Sequence, residues 1–157
     1  MTFRQALVLA AAALLVFALV LRLHRAAPSH GTVVADPVRT PGILNPDVTQ
    51  ATIRSTVCTH GWTATVRPPV SYTNELKVEQ MRVYGETGPP SAYQEDHLVS
   101  LELGGDPTDP RNLWPEPYPR AAAVDRIENE LNAKVCSGRL SLAAAHRQEA
   151  ALQHNHG

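Results

Sequence analysis

Apolar positions along this chain fall into separated runs, and the runs differ in period. The first, ALVLAAAALLVFALVL at 6–21, has no polar residue and so no face to offer water. MTFRQ before it and RLHR after it supply positive flanks, the pattern of a signal peptide or an N-terminal membrane anchor. A helix over 6–21 spans about 24 Å, short of a hydrocarbon core of roughly 30 Å. Leu23 and a snorkelling Arg22 lengthen the span to 6–23. Arg25 stands where a cut after Ala27 wants a small side chain, which favours an uncleaved anchor over a cleaved peptide.

The pattern beyond residue 25 is that of a linker and one domain. Residues 26–46 hold Pro, Gly and small polar residues without a period and read as a linker. Residues 47–157 read as the folded domain. Asp47 resembles a helix cap before VTQATIRSTVC, a short helix ending on Cys58. Trp62, Ala64 and Val66 alternate, which predicts a short strand. SYTNELKVEQMRVYG predicts a helix capped by Ser71 or Thr73 and ended by Gly85. EDHLVSLELGG reads as a strand entering a turn at Gly104 and Gly105. From about Arg120 to Cys136, Val124, Ile127, Leu131 and Val135 recur at helical spacing. Ser141 caps a last helix. The fold class expected is α+β: short helices around a small antiparallel β-hairpin that is followed by a helix.

Composition narrows this picture. Aromatic residues make up only 5% of 157, so the core must be aliphatic and modest. Thirteen prolines, most of them between Pro28 and Pro119, predict short elements. Cys58 and Cys136 are the only cysteines; in an exported domain an isolated pair predicts one disulfide. Leaving out Arg4, Arg22 and Arg25 of the leader, 11 basic residues face 15 acidic ones, a net charge of −4. That excludes nucleic-acid binding by bulk positive charge.

Candidate chemistry lies in EDHLVSLELGGDPTDPRNLWP at 95–115. Strand alternation puts Asp96 and His97 on opposite faces, so a bulge or strand end must turn both toward one cleft. A turn-rich loop can return Asn112 beside Asp96. The helix after it presents Asp125, Glu128 and Asn129 on neighbouring positions. The plain alternatives are a surface hairpin with turn-forming Asp and Asn, and a solvated helix face at Asp125 and Glu128. Glu95 and Glu102 are expected to face water. Asp106 and Asp109 read as turn residues, and Trp114 as a core plug.

Asp96, His97, Leu98, Leu101, Gly104, Gly105, Asn112 and Leu113 match, in order and approximate spacing, the signature of the HNH endonucleases, which this stretch resembles. The resemblance covers about residues 93–136. Residues 41–136, with NLWPEP and the two cysteines, are also similar to small exported bacterial proteins carrying the same unit. The resemblance implies a ββα-metal unit and hydrolysis of nucleic-acid phosphodiesters, DNA ahead of RNA. It implies His97 as general base and a divalent metal, Mg²⁺ or Mn²⁺, held by Asp96 and Asn112. Asn112 either completes the metal shell or pins the loop so that His97 is aimed. The chain departs from the pattern in three ways. Ser100 stands where Pro is common, the helix lacks the usual His or Asn soon after Asn-Leu, and zinc-binding CxxC pairs are absent. Asp125 or Glu128 must then supply the third ligand. The location implied is exported: anchored, periplasmic or secreted. The competing reading is a non-catalytic envelope-associated module that keeps the fold.

Overall fold

The computed structural model describes residues 34–155. The apolar leader, the proposed anchor at 6–23 and residues 26–33 of the expected linker lie outside them. Among the described residues no helix is long and apolar enough to cross a membrane.

The architecture is α+β, as the pattern predicts. Two antiparallel strands, β1 (Tyr93–His97) and β2 (Leu113–Pro117), pair from Tyr93 opposite Pro117 to His97 opposite Leu113. Among the described residues four α-helices surround them: α1 (Trp62–Val66), α2 (Val70–Tyr84), α3 (Tyr118–Cys136) and α4 (Leu142–Gln153). Pro115 and Pro117 fit β2 because both strands of a hairpin have an open edge, where a missing N–H breaks no ladder bond. α3 follows β2 at once, with Pro119 in its first turn, where its missing N–H is harmless. Val48, Ile53, Leu98, Leu103, Trp114, Leu131, Val135 and Leu142 form the core, with Trp114 wholly buried.

Four local expectations are corrected. Residues 62–66 are helical, not a strand: Gly61 adopts φ 78° and starts a turn that closes from the Arg67 N–H to the Thr63 carbonyl. Three alternating apolar residues are too few to separate strand from helix. The helix expected over 48–58 is only a 3₁₀ turn, Ile53–Ser55. Its threonines compete for the backbone: the Thr52 hydroxyl donates to the Asp47 carbonyl at 2.8 Å, and the Thr56 hydroxyl to that of Thr52 at 2.8 Å. α2 starts at Val70 behind Pro69, without a side-chain cap from Ser71 or Thr73. β1 begins and ends earlier than expected, and Leu101–Leu103 form a 3₁₀ turn.

The linker expected over 26–46 is packed onto the domain over its described part. The Ala35 N–H donates to the Gln153 carbonyl, and the Gly42 N–H to that of Arg111, both at 3.1 Å. Leu44 bridges Gly105. This strap lies against the loop of the hairpin.

Cys58 and Cys136 form a disulfide, with Cα atoms 5.5 Å apart and 78 residues of separation. It ties the end of α3 to the segment before α1. Opening it by Cys58→Ser with Cys136→Ser lowers unfolding free energy by up to about 4 kcal/mol, the chain-entropy value for such a loop. Urea midpoints with and without the bond measure it.

Candidate metal centre

The site is built where β1 ends. Asp96 lies opposite Trp114 and His97 opposite Leu113, so pleating alone would send their side chains to opposite faces. The strand stops there, and both residues line one cleft of about 190 Å³ with Arg67, Ser100, Glu102, Asp125 and Glu128. The strand end thus supplies what alternation denied.

Asn112 makes that bend. Its side-chain oxygen accepts from the Val99 N–H at 3.0 Å, and its amide nitrogen donates to the carbonyls of Val99 at 3.0 Å and Asp106 at 2.9 Å. It is wholly buried and does not line the cleft. These bonds are those of a residue that pins the loop. Gly104 caps the 3₁₀ turn at φ 80°, and a Cβ on Gly105 would overlap the Val99 carbonyl oxygen. Asn112→Ala leaves one N–H and two carbonyls without this partner. At about 1 to 3 kcal/mol for each buried unpaired group, we expect a loss of 3 kcal/mol or more, read from urea unfolding.

α3 delivers the acids. Positions 121, 124, 128, 131 and 135 are its buried face, so Glu128 sits within the apolar stripe while Ile127 is displaced outward. Asp125, one turn back, is exposed at the cleft. One oxygen from each of Asp96, Asp125 and Glu128 lies within 4.8 Å of the others. Asp96 is 7% exposed and Glu128 8%. Glu128 Oε1 has no hydrogen-bond partner.

The electrostatics are those of a site with too much negative charge. Burial first, then Asp96, Glu149, Asp125 and Glu102, push the Glu128 carboxyl up to about 10. Burial, then Asp96 and opposed by Arg67, also raises Asp125. Glu116 on β2 is pushed up to about 9 by burial and by a hydrogen bond to Asp96, against the pull of Arg120. Arg120 ion-pairs with Glu116, donates to Gln153 Oε1 at 2.7 Å and lies 5.3 Å from the Trp114 ring centre. Among the described residues Arg67 is the one arginine or lysine lining the cleft. An all-oxygen set, two of whose carboxyls are buried and two of whose oxygens, Asp96 Oδ2 and Glu128 Oε1, lack a partner among the described residues, fits a hard divalent cation.

His97 is 5% exposed. Its Nε2 lies 3.2 Å from the Pro107 carbonyl oxygen. A carbonyl can only accept, so Nε2 carries the ring proton and Nδ1 keeps a lone pair. Burial lowers the ring below its usual 6.5, so it is neutral at pH 7.

Several residues escaped sequence reasoning. Glu102, expected in water, lines the cleft, and the Glu95 carboxylate is screened from solvent. Glu116 and Glu149 are wholly buried. The legible signal for Glu149 was its place in the stripe Leu142, Ala145, Glu149, Gln153, spaced like the core face of a helix. Asp106 and Asp109 are turn residues: Asp106 Oδ1 accepts from the Thr108 and Asp109 N–H groups.

No family model, no curated protein and no solved structure matches this chain.

Proposed function

We propose that this domain is an exported, HNH-like, metal-dependent endonuclease that hydrolyses nucleic-acid phosphodiesters. The observation that supports it is the meeting of Asp96, Asp125 and Glu128 beside a neutral histidine with a free ring nitrogen. The three carboxylates would hold Mg²⁺ or Mn²⁺, which supplies positive charge to the phosphate and the departing oxygen. His97 Nδ1 takes the proton of the attacking water, and the Pro107 carbonyl keeps the ring in the tautomer that can do so. Asn112 holds the loop that aims His97. Arg67 meets a non-bridging phosphate oxygen, because among the described residues no other arginine or lysine lines the cleft.

The disulfide supports an oxidising, hence exported, location. DNA is preferred over RNA as substrate, and binding relies on local charge, since the domain is net negative. The abundance of acids around the cleft favours a second reading, a cation-binding module without catalysis.

The test is incubation of the full chain with plasmid DNA, single-stranded DNA and RNA, with Mg²⁺ or Mn²⁺ and then with EDTA. Metal-dependent cleavage that EDTA stops is expected. Metal binding without cleavage of any substrate overturns the nuclease in favour of the module.

A further inference from the structure

We infer that Ser100 is a fourth oxygen ligand of the cation site, held in place by Glu149. This rests on the reading of Asp96, Asp125 and Glu128 as cation ligands. Ser100 is 4% exposed, yet it lines the same cleft. Among the described residues its hydroxyl has no hydrogen-bond partner. A buried hydroxyl costs stability unless something answers it, and the other groups lining the cleft include four carboxylates, three of them gathered around one point.

The backbone of Ser100 is fixed on both sides. Its N–H donates to Glu149 Oε1 at 2.9 Å. Its carbonyl accepts from Leu103 N–H at 3.0 Å and from Gly105 N–H at 2.9 Å. Only the side-chain rotor is left to choose a direction. Glu149 is wholly buried on α4 and does not line the cleft, so it is a positioning residue and not a ligand. The Ser100 hydroxyl lies beside the same carboxylate, outside hydrogen-bonding geometry.

A hydroxyl suits the position chemically. Mg²⁺ and Mn²⁺ take neutral as well as anionic oxygen ligands. Three carboxylates already exceed the charge of one divalent ion. A neutral fourth oxygen fills coordination without adding repulsion toward an anionic phosphate.

The test compares Mn²⁺ and Cd²⁺ binding by calorimetry on the full chain, without any activity assay. Ser100→Ala removes one oxygen and keeps the N–H bond to Glu149. It is expected to weaken Mn²⁺ binding about tenfold or more with no fall in the melting temperature of the metal-free protein. Ser100→Cys places a soft sulfur at the same point and shifts the affinity ratio toward Cd²⁺ by about tenfold or more. Glu149→Gln, which keeps an acceptor, weakens both ions alike and leaves the ratio where it was. If Ser100→Cys does not fold, Ser100→Ala decides. Wild-type binding of Mn²⁺ matched by Ser100→Ala, or an unchanged ratio in a folded Ser100→Cys, overturns the ligand role alone. A wild type that binds neither ion overturns the cation site itself, and Ser100 with it.

Discussion

On the proposed function, His97→Ala is expected to slow phosphodiester cleavage by about 10²- to 10⁴-fold, the usual range for a general base, while Mn²⁺ binding is expected to stay at the wild-type level. The separation follows from the geometry. The ring lines the cleft but is not among the three carboxylates that meet there, so removing it takes the proton acceptor and leaves the ion-holding groups. The Pro107 carbonyl fixes the proton on Nε2, and burial keeps the ring neutral below the ordinary range. Cleavage by the wild type should therefore rise with pH through a value below 6.5 and then level off across the neutral range, because the active form is the unprotonated ring. His97→Ala loses that rise. Single-turnover rates between pH 5 and 8, with Mn²⁺ titrated alongside, measure both. Cleavage by His97→Ala at the wild-type rate sinks the assignment, and equal loss of Mn²⁺ binding moves His97 into the ion site.

How much of this was legible depended on whether a residue announced its environment by spacing. The hairpin followed by a helix was legible because Gly104, Gly105, Pro119 and Gly138 punctuate short apolar runs. The disulfide was legible because two cysteines allow one pairing. The strand end at His97 was not, since whether pleating stops is decided by Asn112 bonding across 13 positions. The stripe of α3 was read one position off: Ile127 is apolar and fits the spacing nearly as well as Glu128. Packing chose Glu128 for the inside and left Ile127 37% exposed. Propensity and polarity argue against that choice, and only a compensating charge makes it sensible. Glu149 repeats the pattern on α4, where a charged residue occupies a core position between Ala145 and Gln153. Two acids inside two apolar stripes are the sequence signal of a buried charged site, stronger than the acidic content of the hairpin.

Glu128→Gln makes the metal-free domain more stable at pH 8 and at the same time lowers Mn²⁺ affinity by about 100-fold or more. The two effects have one cause. Burial and four neighbouring carboxyls raise Glu128 from the ordinary 4.5 to about 10 in the fold. A group raised in this way contributes fully below its unfolded value, and the contribution is lost as pH rises toward the folded one. Between its unfolded and folded values the unfolded chain releases the Glu128 proton and the metal-free fold holds it, so stability falls as pH rises through that window. Glutamine has the same shape and no proton to lose, so it removes this slope. Mn²⁺ acts oppositely on the wild type. At the proposed site it is expected to bind the ionised carboxylates, displace the Glu128 proton, and stabilise the fold more at pH 8 than at pH 5.5. Melting temperatures of wild type and Glu128→Gln across that range, with EDTA and with saturating Mn²⁺, test every part. The expected result is a wild-type curve that falls with pH in EDTA and is restored by Mn²⁺, beside a variant curve that is flatter and unmoved by the ion. A wild-type melting temperature that is constant in EDTA, or an equal Mn²⁺ shift in the variant, would remove Glu128 from the ion site and leave its burial without a function.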